Sequence, residues 1–145
     1  DARFVIVGAD PSPEIRALAS IPGITVTGSV PDVRPYIRGS AAMVAPLKIA
    51  RGTQNKILEA MAMGVPVVTS AAAAKGVDAL ANEHFLVADD ADATAAALLK
   101  LMRDHAERSR LSGAGRERML QNHSWDRSMN KLDGILERVL RLGTN

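Results

Sequence analysis

The sequence predicts an α/β fold: a Rossmann-like, doubly wound parallel sheet of about five strands, with helices on both faces and a helical C-terminal tail. Short apolar, β-branched runs alternate with helical segments from residue 4 onward, at spacings that require crossover connections between parallel strands. From Asp92 the pattern is helical to the end. With 145 residues, 47% hydrophobic and 23% charged, the chain has the size and composition of one folded domain.

The first forty residues predict two strand–helix units. Phe4–Val7 is a β-branched apolar run that stops at a glycine, which indicates a strand buried on both faces. Ser12 and Pro13 are typical of the N-cap and the first position of a helix. Ile24–Thr27 predicts the second strand, and Asp32 can cap a short helix that follows it.

The middle of the chain continues this alternation. Ala42–Ala45 predicts a third strand. The good helix formers of residues 54–63 run up to Gly64, which is a typical C-terminal stop. Val65–Thr69 then predicts a fourth strand, so a helix connects two neighbouring strands of a parallel sheet.

The last part of the chain is expected to be mainly helical. An alanine-rich loop with a short helix over 71–82 and a weaker fifth strand over 84–87 lead into it. The adjoining carboxylates Asp89 and Asp90 more simply open a helix than bind a metal. We expect Trp125 to anchor the last helix in the core. Three helices are predicted, near 92–103, near 106–121 and from the Ser124 cap onward.

Composition excludes several classes of protein. The chain has no cysteine, which rules out disulfides, cysteine-bound metals and thiol catalysis. A net charge of +2 gives no support to nucleic-acid binding. No apolar run approaches the roughly 20 residues that span a bilayer, and no signal-peptide pattern opens the sequence, so we expect a cytoplasmic location. Far apart in sequence and without a catalytic constellation, the histidines are expected in surface or capping roles: His84, His105 and His123.

The segment Arg51–Pro66 carries the strongest functional signal. A glycine precedes the start of a helix, where free backbone amides and the helix dipole favour a phosphate group. Arg51 and Lys56 can add positive charge to such a site. Glu59 lies about one turn after Lys56, so its carboxylate can accept hydrogen bonds from a polyol such as ribose. The residues that would form the phosphate cradle are Gly52, Thr53, Gln54 and Asn55.

Simpler interpretations of the same residues stay open. Lys56 and Glu59 can form an ordinary ion pair at i, i+3 on the helix surface, and Thr53 can be no more than an N-cap. Spacing alone does not decide between a nucleotide site and these structural roles. The loop after the first strand has a single glycine, Gly8, so the glycine-rich dinucleotide and Walker patterns are absent there.

This segment resembles the nucleotide-sugar-binding C-terminal domain of GT-B retaining glycosyltransferases of the family 4 type. The motif of that family is a pair of glutamates separated by seven residues, followed by a helix that ends in a Gly-x-Pro-Val-Val strand. Here the second glutamate is Glu59, and Gly64–Val68 matches the strand. The stretch from Ala45 to Met63 is most similar to sugar transferases of exosortase and exopolysaccharide systems. The order of elements over residues 3–142 fits the family.

The resemblance implies roles for the matching residues. Glu59 would bind the ribose of the donor. The diphosphate would bind to the backbone amides at the helix start, beside Gly52, which belong to Thr53, Gln54 and Asn55. Lys56 is the candidate catalytic cation, because a departing diphosphate is stabilised by positive charge. The implied donor is a UDP or GDP sugar, with no metal and no other cofactor.

Other positions implied by the resemblance lie outside this cradle or depart from the family pattern. Contacts to the base would come from the loop after the second strand, near Val30 and Pro31. Arg51 stands where the family has its first glutamate, which usually touches the donor sugar. A hydrogen-bond donor thus replaces an acceptor, and we include Arg51 among the candidate catalytic residues.

The resemblance also implies that residues 1–145 form a single, truncated domain of a larger enzyme. The family's C-terminal domain begins with one more strand and helix, with a glycine-rich turn and a phosphate-binding Arg and Lys, which these 145 residues lack. The acceptor site of the family belongs to an N-terminal domain, which is also absent here. We therefore expect this chain alone to bind nucleotide weakly and to catalyse little.

The implied activity of the full-length protein is hexosyl transfer from a nucleotide-diphosphate sugar to a glycan or lipid-linked acceptor in bacterial polysaccharide biosynthesis. Peripheral membrane association of the full-length protein, at the inner face of the membrane, stays open. So do a nucleotide-sugar 2-epimerase of the same architecture and a degenerate, non-catalytic nucleotide-binding or scaffold domain. A receiver domain fits poorly, because Gly8 and Ala45 stand near the strand ends where receivers need acidic residues.

Overall fold

The computed structural model describes residues 2–142 and has an α/β fold with parallel strands, surrounding helices and a helical C-terminal tail. All five predicted strands and the predicted helices are present in this part of the chain. The chain divides into two compact units, one ending at Ser40 and the other beginning at Ala41. The predicted α/β class is therefore confirmed, and its strands are shared between a two-stranded and a three-stranded parallel sheet.

The first unit contains a two-stranded parallel sheet. Phe4 lies opposite Ile24 and Ile6 lies opposite Val26 across this sheet. The elements of the unit in chain order are β1 (Phe4–Ile6), α1 (Pro13–Ala17) with a 3-10 turn (Leu18–Ser20), β2 (Ile24–Val26) and α2 (Arg34–Arg38).

A side chain accepts a hydrogen bond from an amide in the first turn of each helix of the first unit. The Ser12 hydroxyl accepts a hydrogen bond from the Ile15 amide at 3.4 Å, with Pro13 at the first helical position, so the predicted cap of α1 is confirmed. Asp32 Oδ1 accepts from the Arg34 amide at 2.9 Å, although Val33 is the N-cap residue of α2. The carboxylate therefore binds the start of α2 from one residue further upstream than a simple N-cap.

Strand β1 differs from its prediction. Phe4 is 43% exposed and Val5 is 41% exposed, so the expectation of a strand buried on both faces is wrong for the described chain. The sheet to which β1 belongs has two strands, with β2 as the neighbour of β1. Helices cover the faces of a strand, and in the described first unit the 3-10 turn packs against β2 while no helix packs as extensively on β1, so the faces of β1 stay partly exposed.

The second unit contains the three-stranded sheet and most of the helices. The strand order is β3-β4-β5, with both pairs parallel. The elements in chain order are β3 (Met43–Ala45), α3 (Asn55–Ala62), β4 (Val67–Thr69), α4 (Ala71–Ala74), β5 (Leu86–Val87), α5 (Ala91–Arg103), α6 (His105–Asn122) and α7 (Trp125–Leu142).

The core of the second unit lies around β4, whose three residues are all at most 1% exposed. Val68 packs in one buried cluster with Ala88, Leu101 of α5 and Leu111 of α6. Helix α3 also packs against α6. The hydroxyl of Ser112 in α6 donates to the carbonyl of Gly64, just after α3, at 2.6 Å. The core is thus built mainly from small, aliphatic and methionine side chains, with Phe85, 1% exposed, as its aromatic member.

The end of α3 explains why β4 is shorter than predicted. The Val65 amide donates to the Ala60 carbonyl and the Gly64 amide to the Met61 carbonyl, each at 2.9 Å. With Gly64 at φ +73°, this is a Schellman cap, so the predicted stop at Gly64 is confirmed. Because the cap uses the Val65 amide, that residue cannot start the strand, and β4 begins at Val67.

Aspartate and serine side chains start the C-terminal helices. Asp90 accepts from the Ala93 amide at 2.7 Å, Asp104 from the Glu107 amide at 2.9 Å, and Ser124 from the Arg127 amide at 3.3 Å. The expectation that Asp90 opens a helix is therefore confirmed. Asp89 instead accepts from the Ala71 amide at the start of α4, at 2.7 Å.

The predictions for two aromatic residues near these helices are wrong. His84 is 8% exposed, and its Nδ1 accepts from the Leu80 amide at 2.9 Å, so it closes a turn between α4 and β5 and lies neither on the surface nor at a helix end. Trp125 is 80% exposed, so the prediction that it anchors α7 in the core is wrong. In the described chain α7 leaves its apolar side half exposed, for example at Leu136 with 50% and Val139 with 60%. No helix within residues 2–142 is both long and apolar enough to cross a membrane.

The core around β4 predicts a large cost for truncating Leu111, which is 1% exposed. We expect Leu111→Ala to lower the free energy of unfolding by about 2–5 kcal/mol, because it leaves a cavity between α6 and Val68. Urea denaturation followed by circular dichroism measures this loss. Leu120→Ala on the same helix, where the leucine is 62% exposed, is the control and should change stability by less than about 1 kcal/mol. Equal losses in both variants would contradict the assigned core.

A charged triad on α5 and α6 predicts a pH dependence of stability. The Glu107 carboxylate accepts hydrogen bonds from Lys100 Nζ at 3.0 Å and from Arg110 Nε at 2.7 Å. The hydrogen bonds from Arg110, and then the one from Lys100, lower the pKa of Glu107 from 4.5 to about 2. The stabilisation is therefore complete above the unfolded pKa near 4.5 and is lost as the pH falls toward 2.

We expect Glu107→Gln to be less stable than wild type at pH 7, by up to about 1 kcal/mol because the pairs are partly exposed. The difference should shrink as the pH falls from about 4.5 to about 2. Urea denaturation at a series of pH values measures it, with Glu117→Gln on the same helix as control. A difference that stays constant over this pH range would show that the triad does not act through charge.

Candidate functional site

The described part of the second unit has a cleft of about 480 Å³ at the carboxyl edge of its sheet. One wall is the end of the loop from β3 to α3, and the other is α4 with the turn after it. Parallel strands place the loops that follow them at one edge of the sheet, which is where ligands bind in such folds. The lining residues are Ala50, Gly52, Thr53, Ala72, Lys75, Gly76, Val77 and Asp78.

Hydroxyl groups at the end of β4 bind the end of β3 and the start of the loop that follows it. Thr69 Oγ1 donates to the Ala45 carbonyl at 3.0 Å, and Ser70 Oγ donates to the Leu47 carbonyl at 2.6 Å. Ser70 Oγ also accepts from the Ala73 amide at 3.2 Å, as the N-cap of α4. One serine therefore both starts α4 and holds the first part of the loop that leads to α3.

No side chain in the described part of the chain accepts a hydrogen bond from the first amides of α3. Its N-cap is Gln54, whose side chain turns back and donates from Nε2 to the carbonyls of Arg51 and Gly52, each at 3.2 Å. Within residues 2–142, the predicted diphosphate-binding amides of Thr53, Gln54 and Asn55 donate no hydrogen bond, and neither does the amide of Lys56. These amides are open donors at a positive helix end.

The structure tests the two simpler interpretations of this segment, an N-cap role for Thr53 and an ion pair between Lys56 and Glu59. Thr53 is not the N-cap of α3, because Gln54 takes that position. Lys56 and Glu59 are both exposed, and no ion pair among the described residues joins them or includes Arg51. The side chains of Arg51, Lys56 and Glu59 are therefore exposed and have no ion-pair partner among the described residues, but they are not among the residues that line the cleft.

The opposite wall contributes a lysine that sequence reasoning missed. Lys75 is the C-cap residue of α4, lines the cleft and has no ion-pair partner in the part of the chain that the structure describes. Asp78, on the same wall, is held by Arg118 at 2.8 Å and by Asn122 at 3.1 Å. Hydrogen bonds from Arg118 and then Asn122 keep the pKa of Asp78 below its ordinary value, so its charge is already balanced.

A signal for Lys75 was present in the sequence. It stands before Gly76 in the segment that follows the β4 run, separated from that run by Ser70 and four alanines. Loops after neighbouring parallel strands meet at one edge of the sheet. The alanine-rich composition of residues 71–74 indicates only a helix. Recognising the lysine as a site residue therefore requires the strand order, which a linear pattern does not contain.

The predicted base-contact residues lie in the first unit. Val30, half-buried, and Pro31, exposed, follow β2 in the loop that leads to α2. The preceding residue, Ser29, lines a second cleft of about 450 Å³ together with residues at the ends of β1 and β2. The predicted phosphate and ribose residues all lie in the second unit, so the candidate site residues fall into two groups.

Comparison with known families and structures agrees with the predicted resemblance. The model of the family described as glycosyl transferases group 1 matches residues 1–104, so the chain belongs to this family. Sucrose-phosphate synthase from Thermosynechococcus elongatus is 26% identical, with a TM-score of 0.78 over 98% of this chain and 39% of the synthase. No curated protein sequence matches significantly.

Two structures of TarM share the fold. One has 15% identity and a TM-score of 0.70, over 99% of this chain and 29% of TarM. The other, a mutant S. aureus TarM in complex with Fondaparinux, alpha-GlcNAc-glycerol and UDP, has 16% identity and a TM-score of 0.71, with coverage of 99% and 29%. The resemblance to GT-B glycosyltransferases of the family 4 type is thus confirmed, and the chain spans about two fifths or less of these proteins.

Proposed function

We propose that this chain is the donor-binding part of a glycosyltransferase and that its cleft binds the diphosphate of a UDP or GDP sugar. The observation that carries this proposal is the uncapped start of α3, where the amides of Thr53, Gln54, Asn55 and Lys56 have no partner among the described residues. Backbone donors at a positive helix end match the oxygens of a phosphate group. The family to which the chain belongs supports glycosyl transfer as the chemistry.

The spacing along α3 supports a nucleotide as the ligand. Glu59 lies four residues beyond Asn55, which is about 6 Å along the helix axis. A carboxylate at that distance from a bound phosphate can accept hydrogen bonds from the ribose hydroxyls. We therefore assign the ribose to Glu59 and the diphosphate to the amides at the start of α3, and we keep Val30 and Pro31 of the first unit as the proposed base contacts.

The proposed catalysis rests on positive charge around the departing diphosphate. Lys75 lines the cleft, and Arg51 and Lys56 lie close to its lining residues Gly52 and Thr53 in the chain. None of the three has an ion-pair partner among the described residues. Fixed cations and amides can stabilise the charge that develops on a leaving group. Under this proposal the site needs no metal and no cofactor besides the donor.

The proposed reaction of the whole protein is transfer of a hexose to a glycan or lipid-linked acceptor in bacterial polysaccharide biosynthesis, on the cytoplasmic side of the membrane. The family and the fold support transfer in general. The acceptor would bind to a domain outside this chain, which spans 39% of the synthase that it resembles. We accordingly propose that residues 1–145 alone bind nucleotide and have little transferase activity.

The proposed ribose contact predicts that Glu59→Ala weakens nucleotide binding by about 1–3 kcal/mol, because the hydroxyls of the ligand lose their acceptor. We would titrate the chain with UDP, GDP and ADP and follow amide NMR shifts. Shifts should cluster between residues 52 and 59 for one nucleotide. Glu117→Ala, an exposed glutamate on α6, is the matched control. The proposal fails if no nucleotide shifts these amides, or if Glu59→Ala binds as tightly as wild type.

The position of Lys75 predicts that Lys75→Gln weakens binding of the diphosphate by about 1 kcal/mol, because one cation leaves the cleft. The effect should be larger at low ionic strength, where exposed charges are screened less. Calorimetric titration at about 20 mM and about 200 mM salt measures both. Lys131→Gln, on α7, is the charge-matched control. Equal affinities for wild type and Lys75→Gln at low salt would remove Lys75 from the site.

A further inference from the structure

The two walls of the cleft meet at a close approach between the backbones of Gly52 and Gly76. A Cβ atom built on Gly76 would overlap the Gly52 carbonyl oxygen and would lie 3.3 Å from the carbonyl carbon. Gly76 does not have a positive φ. Glycine is therefore required here because there is no space for a side chain, and not because of the backbone conformation. Any side chain at this position would push the two walls apart.

The side chain of Gln54 lies at the same contact. It is 8% exposed, and its Cγ is 3.5 Å from the position that a Cβ on Gly76 would occupy. Its Nε2 donates to the carbonyls of Arg51 and Gly52, each at 3.2 Å. The turn at Gly52, which has a φ of +65°, is therefore closed by Gln54 on one side and seated on Gly76 on the other.

Both walls are fixed in the core except at this turn. Ala73 and Val77, which flank the Gly76 turn, are 0% and 6% exposed, and Ile57 in the first turn of α3 is 0% exposed. Residues 51–53 are all exposed. A larger side chain at Gly76, or loss of the Gln54 hydrogen bonds, would consequently be absorbed by movement of residues 51–53, because the buried residues resist displacement.

We propose that Gln54 and Gly76 are positioning residues that hold the turn at Gly52 and so set the placement of the Thr53 amide opposite Lys75. This rests on the proposed function, because it assumes that the cleft binds a phosphate group. Neither side chain needs to touch the ligand: Gln54 is buried and Gly76 has no side chain. Glu59 lies on α3 beyond the turn, so the ribose contact should not depend on them.

The test compares a nucleoside diphosphate with its nucleoside. We would measure the affinities of UDP, GDP and ADP, and of uridine, guanosine and adenosine, by NMR titration of wild type, Gly76→Ala and Gln54→Met. The expected result is that each variant binds the diphosphate about tenfold more weakly, the equivalent of one lost hydrogen bond to phosphate. Nucleoside affinity should stay within about twofold of wild type.

Two matched variants control for the substitutions themselves. Gly113→Ala adds a methyl group at a helical glycine where a Cβ meets nothing within 4 Å. Gln121→Met removes an exposed amide that donates to Glu117 on α6. Both should bind diphosphate and nucleoside as wild type does. Gln54→Met also serves as the second variant if Gly76→Ala does not fold, because methionine keeps the length of the side chain.

The outcomes separate this proposal from the proposed function. If wild type binds no nucleoside diphosphate, the proposed function itself fails. If both variants bind the nucleoside diphosphate with the same affinity as wild type, the positioning role is wrong and the proposed nucleotide site is unaffected. If diphosphate and nucleoside affinities fall together, Gln54 and Gly76 support only the general structure, and the positioning role is again overturned.

Discussion

Burial of β4 on both faces is the constraint on which the second unit depends. Val67 and Val68 are fully buried, Thr69 is 1% exposed, and parallel neighbours lie on both sides of the strand. A strand in this position must leave the sheet at the same edge as its neighbours. The hydroxyl of Thr69 then bonds the carbonyl of Ala45, so the ends of β3 and β4 are fixed together. The cleft is therefore a consequence of how the core is built.

At the start of α3, a capping side chain would stabilise the helix, whereas the proposed binding of an anion requires that the first amides stay open. A capping side chain contributes about 1 kcal/mol to a helix, and side chains cap α1, α4, α5 and α6. At α3 the side chain that could do so, Gln54, is used instead to hold the preceding turn. The helix leaves its first amides open, and a bound anion would supply the missing capping interaction.

The sequence alone was sufficient to predict those structural features that depend on a few neighbouring residues. The Ser12 and Asp90 caps and the Gly64 stop were predicted because each depends on a few adjacent residues. Trp125 and the faces of β1 were predicted wrongly, because burial depends on which elements pack together. The amide cradle at α3 could be found from a helix start, but Lys75 and the contact between Gly52 and Gly76 join segments more than twenty residues apart. No local pattern contains that pairing.

The charges around the cleft favour an anionic ligand more clearly than the composition of the chain does. The net charge of the whole sequence is only +2, yet the cations near the cleft are unpaired among the described residues, whereas the acid on its wall is not. Arg118 balances Asp78 from outside the cleft lining, which leaves Lys75 and the α3 amides to dominate the local field. Under the proposed function, Lys75 of the lining and the open amides at the start of α3 would together bind a ligand with several negative oxygens, such as a diphosphate.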